Sequence, residues 1–479
     1  MMHWRLVAAA LGMCLMTAAT LFGTPEDETF ERERYLVLDS RIIDKKDNVE
    51  LTVGYAHKDK NNPLFQEDKA WEPRFDNPYC SVIYDEEAET YKCWYSIFIK
   101  SDYEATPSEK RAWLKWHEGR RGFGVCYATS QDGIHWEKPE LGLIDFNGSK
   151  QNNIVLKFTH GVAVIKDLRE TDPQKRYKAI HGEGKVWFSA DGIHWGEMHD
   201  VGRIARGDTN QAVWWDEDLG KYVLITRDWG GEKTSGRYGR GGHRQKVRSE
   251  SEDFLHWSKA EFVIKGLDLR MQIHDMLVAK HAGVYLGLVG LFDIEASRQW
   301  CELAWSPDSK QWHRIQPGKP LIPNGPVMGD CDWGCVFAAK PIIRKDEILI
   351  YYGANDGRFM AWRNGFFCLA RLRPDGFAGY EQVAGGSNKT GSLTTKAISV
   401  VGDSLCVSAD VAPSGFVKVE LLDQDDKKLA EGELVTKTVS DGKINWKEGF
   451  TLTTAEVKKV KLKFVLRESK LFSFSFDDG

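Results

Sequence analysis

SQDGIHW, residues 130–136, decides how this chain is read, because it returns. SADGIHW follows at 189–195, SEDFLHW at 251–257 and SPDSKQW at 306–312, at intervals of 59, 62 and 55 residues. Each copy writes Ser-x-Asp and then Trp four residues after the Asp. In such an element the Asp side chain accepts backbone N–H bonds inside a tight turn. Gly, or a substitute, takes the backbone angle that side chains disfavour, and the Trp packs between neighbouring units. Asp132, Asp191, Asp253 and Asp308 are therefore expected to serve folding rather than chemistry.

Around these turns the sequence is strand-like. DNPYCSVIYDEEAETYKCWYSIF (76–98) is a β-rich run, an acidic turn and a second β-rich run, which reads as a hairpin. The design recurs at 162–180, 208–227, 276–292 and 340–354, and RPDGF (373–377) looks like a degenerate fifth copy of the turn. Five hairpins at a period near 60 residues predict an all-β fold: a five-bladed β-propeller over 71–384. The polar, Gly-rich joint GGSNKTGSLTTK then leads into period-two runs such as GFVKVELLD and KVKLKFVL, so 385–479 reads as a β-sandwich. Residues 24–70 are polar and irregular and are expected to wrap the propeller.

The bulk properties bound the function. The 479 residues carry a net charge of −5 with both signs mixed, so nothing suggests a nucleic-acid partner. Aromatic residues make up 12%, including 18 Trp, which either fill repeat cores or line a sugar-binding cleft. Arg5, the apolar run Leu6–Phe22 and the acidic residues after it read as a signal peptide over 1–23, with an uncleaved anchor as the alternative. No other stretch has the length and apolarity to cross a membrane, and a secreted or periplasmic protein is expected. An oxidising compartment permits disulfides. Cys80 and Cys93 lie at equal distances from a turn at Glu86–Glu87, which would let them face each other. No cysteine or histidine spacing is that of a zinc site.

A five-bladed propeller followed by a β-sandwich, behind a signal peptide, resembles the glycoside hydrolases of families 32, 43 and 68, the β-fructosidase and arabinanase-like enzymes. CYATSQDGIHWEKPELGLIDFNGSKQNNIV (126–155), GDTNQAVWWDEDLGKY and FCLARLRPDGF are similar to secreted bacterial proteins related to the family 32 N-terminal domain. The resemblance implies a carbohydrate substrate and cleavage of glycosidic bonds. This sequence departs from family 32 in three places. RFDNPY stands where a WMNDPN-like start is expected, the Arg-Asp-Pro segment has no clean equivalent, and the Glu-Cys pair is missing. These departures count against invertase or fructanase activity.

In a propeller the inner strand of each blade begins at the mouth of the central funnel. There the sequence offers Asp76, His160, Asp208, His274 with Asp275, and Asp330 with Asp332, one set per blade. Glycoside cleavage needs two carboxyl groups across the scissile bond. The resemblance implies that the acids of blades one and three are the nucleophile or base and a carboxylate that binds the transition state, positions matched by Asp76 and Asp208. For the general acid it implies a fourth-blade carboxyl, for which Asp275 and Glu295 are the candidates. Glu183 lies on a funnel-facing loop. Arg227 and Arg248 flank the charged stretch 228–248, and 99–121 carries Trp113 and Trp116 three apart, as in a short helix. Lids from these two segments would stack a sugar ring and hold anionic groups. Related propellers sometimes hold calcium, but no ligand set here argues for a metal, and no cofactor is expected. The expected function is glycosidic cleavage of a poly- or oligosaccharide. The alternatives are a non-catalytic carbohydrate-binding propeller, or a phosphorylase or transglycosylase on the same fold.

Overall fold

The computed structural model describes residues 33–99, 122–230, 242–384, 390–452 and 459–477. Three antiparallel four-stranded sheets follow one another along the chain. Blade one holds Cys80–Asp85, Thr90–Ile99, Gly122–Ser130 and Ile154–Lys157; blade two, Ala163–Lys166, Tyr177–His181, Lys185–Ser189 and His199–Asp200; blade three, Ala212–Asp216, Lys221–Gly230, His243–Ser251 and Glu261–Lys265. Blade four, Met271–His281, Val284–Asp293, Arg298–Ser306 and His313–Ile315, is joined to blade five by a parallel bridge from Gln299 to Cys335. Blade five uses Cys335–Ala338, Ile348–Asn355 and Gly365–Leu372, and its outer strand comes from the other end of the chain, as His57–Lys58 and Phe65–Gln66. Two ion pairs hold that strand: Lys58 to Asp332 at 2.6 Å and Arg371 to Asp59 at 2.6 Å.

Consecutive inner strands touch, and the inner strand of blade one meets blade five, so the sheets close into a ring. A channel of about 270 Å³ follows the axis, walled by inner-strand residues such as Ser81, Val82, Val164, Val213 and Val278. Val164 N donates to Ser81 Oγ across the first seam at 3.1 Å.

The Ser-x-Asp turns fold as their composition demands. Asp132 Oδ1 accepts from Ile134 N and His135 N, each at 2.8 Å, and Ser130 Oγ accepts from Gly133 N at 2.9 Å. Asp191, Asp253 and Asp308 repeat the pattern. The residue after each Asp takes a left-handed φ: Gly133 at 77°, Gly192 at 78°, Phe254 at 68° and Ser309 at 60°. At the first two positions a Cβ would collide with the neighbouring blade, 2.4 Å from the Tyr351 hydroxyl and 2.5 Å from the Trp94 ring. Trp136 crosses a seam, with its ring 5.6 Å from Tyr351 and 5.2 Å from Phe367 of blade five.

A second repeating device lies on the same end of the ring and escapes a local reading. The Asp that closes each inner strand accepts from a Tyr of the next blade. Tyr177 donates to Asp85 at 2.6 Å, Tyr222 to Asp167, and Tyr285 to Asp216 at 2.5 Å. Lysines join them, with Lys92 and Lys166 each 2.6 Å from Asp85 and Lys178 3.1 Å from Asp167. Burial works against ionisation of these carboxyls, but the hydrogen bonds and ammonium charges outweigh it and hold all three below the usual carboxylate range. At the seam between blades five and one, Arg344 lies over the rings of Tyr84 and Tyr91 instead.

Beyond the propeller, Ser404–Leu422 and Lys459–Asp477 pair along most of their length in a ten-stranded sheet with its own apolar core, in which Val407, Val419, Phe464 and Leu471 are fully buried. Residues Arg34–Leu36, Ile43–Asp47 and Val49–Val53 belong to this sheet, as does Ala378–Gln382. Asp375, in RPDGF, ties the two parts together. It accepts from His281 of blade four at 2.7 Å and from Arg34 and Ser473 of the C-terminal sheet at 2.6 Å each. The eight cysteines of the described residues are free thiols. Cys80 opposes Tyr95 and Val82 opposes Cys93, because the first hairpin turns over four residues, 86–89, centred one position later than the Glu86–Glu87 turn expected.

Tyr177→Phe, Tyr222→Phe and Tyr285→Phe should each cost about 1 kcal/mol, and the triple variant about 3 kcal/mol because the sites are far apart; an unchanged urea midpoint would refute the stitch. For Asp375, burial raises the pKa, but hydrogen bonds from His281 and Ser473 and the charge of Arg34 prevail and hold it at about 2. The folded value lies below the unfolded one, so this contribution is complete above about pH 4 and lost as pH falls towards 2. Asp375→Asn should lower stability at neutral pH by about 2 kcal/mol and flatten the acid limb of a thermal-unfolding series between those pH values.

Candidate functional site at the funnel end of the ring

The inner strands begin at the end opposite the tyrosine stitch, and there side chains from several blades come within electrostatic reach of one another. Asp76, just ahead of the blade-one inner strand, is 0% exposed. Its Oδ1 lies 2.5 Å from Arg74 Nη2 and 2.8 Å from Arg363 Nη2. Arg74 also donates to the Ala361 carbonyl, and Arg363 to Asn77 Oδ1 at 2.7 Å. The two guanidiniums thus bind the carboxylate into the junction of blades one and five.

Asp208 stands differently. Its side chain is 52% exposed and pairs with the buried Arg227. The Asp208 carbonyl lies 3.1 Å from Nε2 of His160, whose ring stacks on Phe98 at 4.3 Å and Phe123 at 4.8 Å, so blades one, two and three meet at this point. Glu183, half-buried on the 182–184 turn, acts on Arg227 through space.

The funnel floor is built from blade four. A bulge between Ile273 and Asp275 breaks the inner-strand register, and both His274 and Asp275 are buried, at 2% and 1% exposure. Asp275 packs over Gly290, where a Cβ would stand 1.7 Å from its Oδ1, so only glycine fits opposite it. Gln299 Nε2 donates to its two oxygens at 3.4 and 3.3 Å. His274 Nδ1 lies 3.8 Å from Asp275 Oδ2, and Nε2 lies 3.5 Å from the Tyr79 hydroxyl of blade one. The rings of Phe292, Phe337 and Phe359 surround the imidazole. Lys246 of blade three reaches across the seam and donates to the His274 carbonyl at 3.0 Å. Burial pushes the Asp275 carboxyl up to about 6, against the pull of Lys246, and it pushes the Lys246 ammonium down.

The other expected site residues are engaged elsewhere. Glu295 is a half-exposed partner of Arg270 at 2.9 Å. Arg248 points down the blade, with Nε donating to Ser309 Oγ at 3.0 Å and Nη1 to Glu250 at 2.5 Å. Asp332 is buried between Lys58 and the Tyr352 hydroxyl, where it anchors the outer strand of blade five. Trp113 and Trp116 lie outside the described residues. Tyr79, Arg74, Arg363, Gln299, Arg244 and Lys246 were not legible as site residues. The last two lie on one face of a strand, in HRQKVR, where the alternation of long basic side chains was the available signal. Among the described residues no group of three His, Cys, Asp or Glu side chains is arranged to hold a metal ion.

No family model matches the sequence, and no curated protein matches it. Among solved structures the chain is similar to a β-1,2-mannobiose phosphorylase from Listeria innocua, with 15% identity, 66% of this chain and 96% of that one covered, and a TM-score of 0.46. It is similar to a glycoside hydrolase family 43 arabinoxylan arabinofuranohydrolase from Bacillus subtilis, with 14% identity, 87% and 97% coverage and a TM-score of 0.41. It is also similar to the catalytic domain of a family 62 α-L-arabinofuranosidase from Coprinopsis cinerea, with 12% identity, 66% and 97% coverage and a TM-score of 0.42.

Proposed function

We propose that this protein cleaves glycosidic bonds in a poly- or oligosaccharide at the funnel end of its propeller. The observation that carries the reading is the contrast between Asp275 and Asp208. Glycoside cleavage asks one carboxyl to arrive protonated and another to arrive ionised, and the surroundings of two carboxyls assign those parts. Asp275 is buried, with weak hydrogen bonds from one amide and a pKa raised to about 6. Asp208 is open to the funnel and paired with a guanidinium. In this reading Asp275 supplies the proton that the leaving oxygen takes up, with His274 and the Tyr79 hydroxyl forming the path to the funnel, and water restores the proton at the end of the cycle. Asp208 faces the sugar and serves as the base or nucleophile. That is the part the sequence assigns to Asp76, whose burial under two arginines fits an anchor for the Phe359–Arg363 segment. Action outside the cytoplasm is part of the proposal, supported by the apolar run Leu6–Phe22.

A second reading, carbohydrate binding without turnover, is favoured by the three phenylalanine rings packed around His274. A panel of aryl glycosides and polysaccharides separates the two. For a hydrolase, Asp208→Asn and Asp275→Asn should each lower kcat by at least about 100-fold with unchanged circular dichroism. Wild-type kcat should fall as pH rises through about 6, where the Asp275 carboxyl loses its proton. Saturable binding of sugars with no turnover across the panel would establish the binding protein and overturn the hydrolase.

A further inference from the structure

One face of blade three carries more positive charge than its surroundings neutralise. Arg227 pairs in register with Lys246, and Trp229 with Arg244, so the four side chains share a face. The two guanidiniums lie 5.1 and 4.8 Å from the Trp229 ring. Lys246 is 0% exposed, yet the structure gives its ammonium one hydrogen bond, to the His274 carbonyl, and no carboxylate within 4.0 Å among the described residues. An ammonium has three donors, and burying it with one acceptor is costly. Arg244 is half-buried, donates from Nη1 to Gln272 Oε1 at 2.9 Å, and likewise has no carboxylate partner among the described residues. The Nε atoms of Arg227 and Arg244 are buried without an acceptor.

The charges can be counted. Among the described residues three cations, Arg227, Arg244 and Lys246, have one carboxylate in contact, Asp208 on Arg227; Asp275 offsets Lys246 through space only when ionised, and in the reading above it enters the cycle protonated. Glu183 acts on Arg227 from farther away and is half-exposed, so solvent screens it. Among the described residues at least one unit of positive charge is left beside the site proposed above. We infer that this face is a cradle for a monoanionic substituent on the glycan, the carboxylate of a uronic acid or a sulfate ester, with Arg244 and Lys246 as the residues that select it. Both oxyanions present planar or forked acceptors suited to guanidinium. The inference rests on the reading of the funnel as a glycan site and names the class of sugar it takes.

The test is calorimetric titration of the full chain, with binding rather than cleavage as the readout. The ligands are oligogalacturonides and oligoglucuronides with their carboxyl-reduced forms, sulfated oligosaccharides with their desulfated forms, and inorganic phosphate. A charged ligand should bind at least tenfold more tightly than its neutral counterpart, and the arm that shows this identifies uronate or sulfate. Arg244→Gln should remove that preference, bringing the affinities for the charged and neutral forms within about twofold of each other. Because Lys246→Met places a new side chain in the core and need not fold, the half-exposed Arg244 carries the test. Equal affinity for charged and neutral forms, an equal loss of both in Arg244→Gln, or phosphate binding more tightly than either sugar class overturns the inference. A preference for charged sugar without cleavage sinks the hydrolase and leaves the cradle standing. Cleavage of neutral sugars without preference does the reverse.

Discussion

The seams between blades are the constraint on which the rest depends. A propeller blade is a four-stranded sheet that cannot bury both of its faces alone, so each blade is stable only against its neighbours. Here three successive seams are fastened by one interaction, a tyrosine hydroxyl donating to the aspartate that ends the inner strand of the blade before it. The ring is then closed by a strand from the start of the described chain, His57–Lys58 with Phe65–Gln66, laid against Gly365–Leu372. Pairing residues some 300 positions apart leaves blade five no free edge on that side. Once the ring is closed, the starts of the inner strands have nowhere to go but around one axis, and side chains distant in sequence become neighbours at the funnel.

How much of this was legible follows from how local each device is. The Ser-x-Asp turns complete their hydrogen bonds within six residues, so the residue types alone specify them, even where Phe254 and Ser309 replace the glycine. The tyrosine stitch was open to view in principle, since YDEEAETY, KDLRETDPQKRY and WDEDLGKY each hold an Asp and a Tyr. The pairs that bond, however, join the Asp of one copy to the Tyr of the next, and a single copy does not reveal that. The Cys80–Cys93 reading failed because the turn holds four residues, 86–89, rather than the two at Glu86–Glu87, which moves every cross-strand partner by two positions. For the site, inner-strand starts pointed to Asp208, His160, His274 and Asp275. Arg244 and Lys246 were missed because they sit inside the third strand of a blade, and long side chains let them reach a neighbour's territory. Asp332 begins an inner strand as the rule requires, yet its carboxylate turns away to meet Lys58, a residue whose position only ring closure determines.

The propeller and the C-terminal sheet are linked by a buried carboxylate of the same kind. Asp375 sits where a fifth copy of the repeat turn begins to fail, and the failure has a use. Freed from stapling its own turn, the side chain takes donors from blade four, from Arg34 and from Ser473 together. Breaking such a group strands a buried charge and costs far more than losing a surface pair, so the second sheet fixes the orientation of blades four and five, and blade four carries the funnel floor.

The two ends of the ring show what a fold does to one residue type. Asp85 accepts from Tyr177 and two ammoniums, each at 2.6 Å, and that company keeps it ionised despite burial. Asp275, in an inner strand of the same architecture, has one side-chain amide at 3.3–3.4 Å, the His274 imidazole at 3.8 Å, a glycine surface beneath it and the Lys246 ammonium acting only through space. The number of strong donors decides the difference, because desolvation alone disfavours charge at both sites. Carboxyls held as permanent anions suit fastening, since their bonds do not come and go with pH near neutrality. A carboxyl held near the point of proton exchange is a poor fastener and a good acid. Donor supply thus sets the carboxyls that fasten the seams apart from Asp275, the one proposed to react.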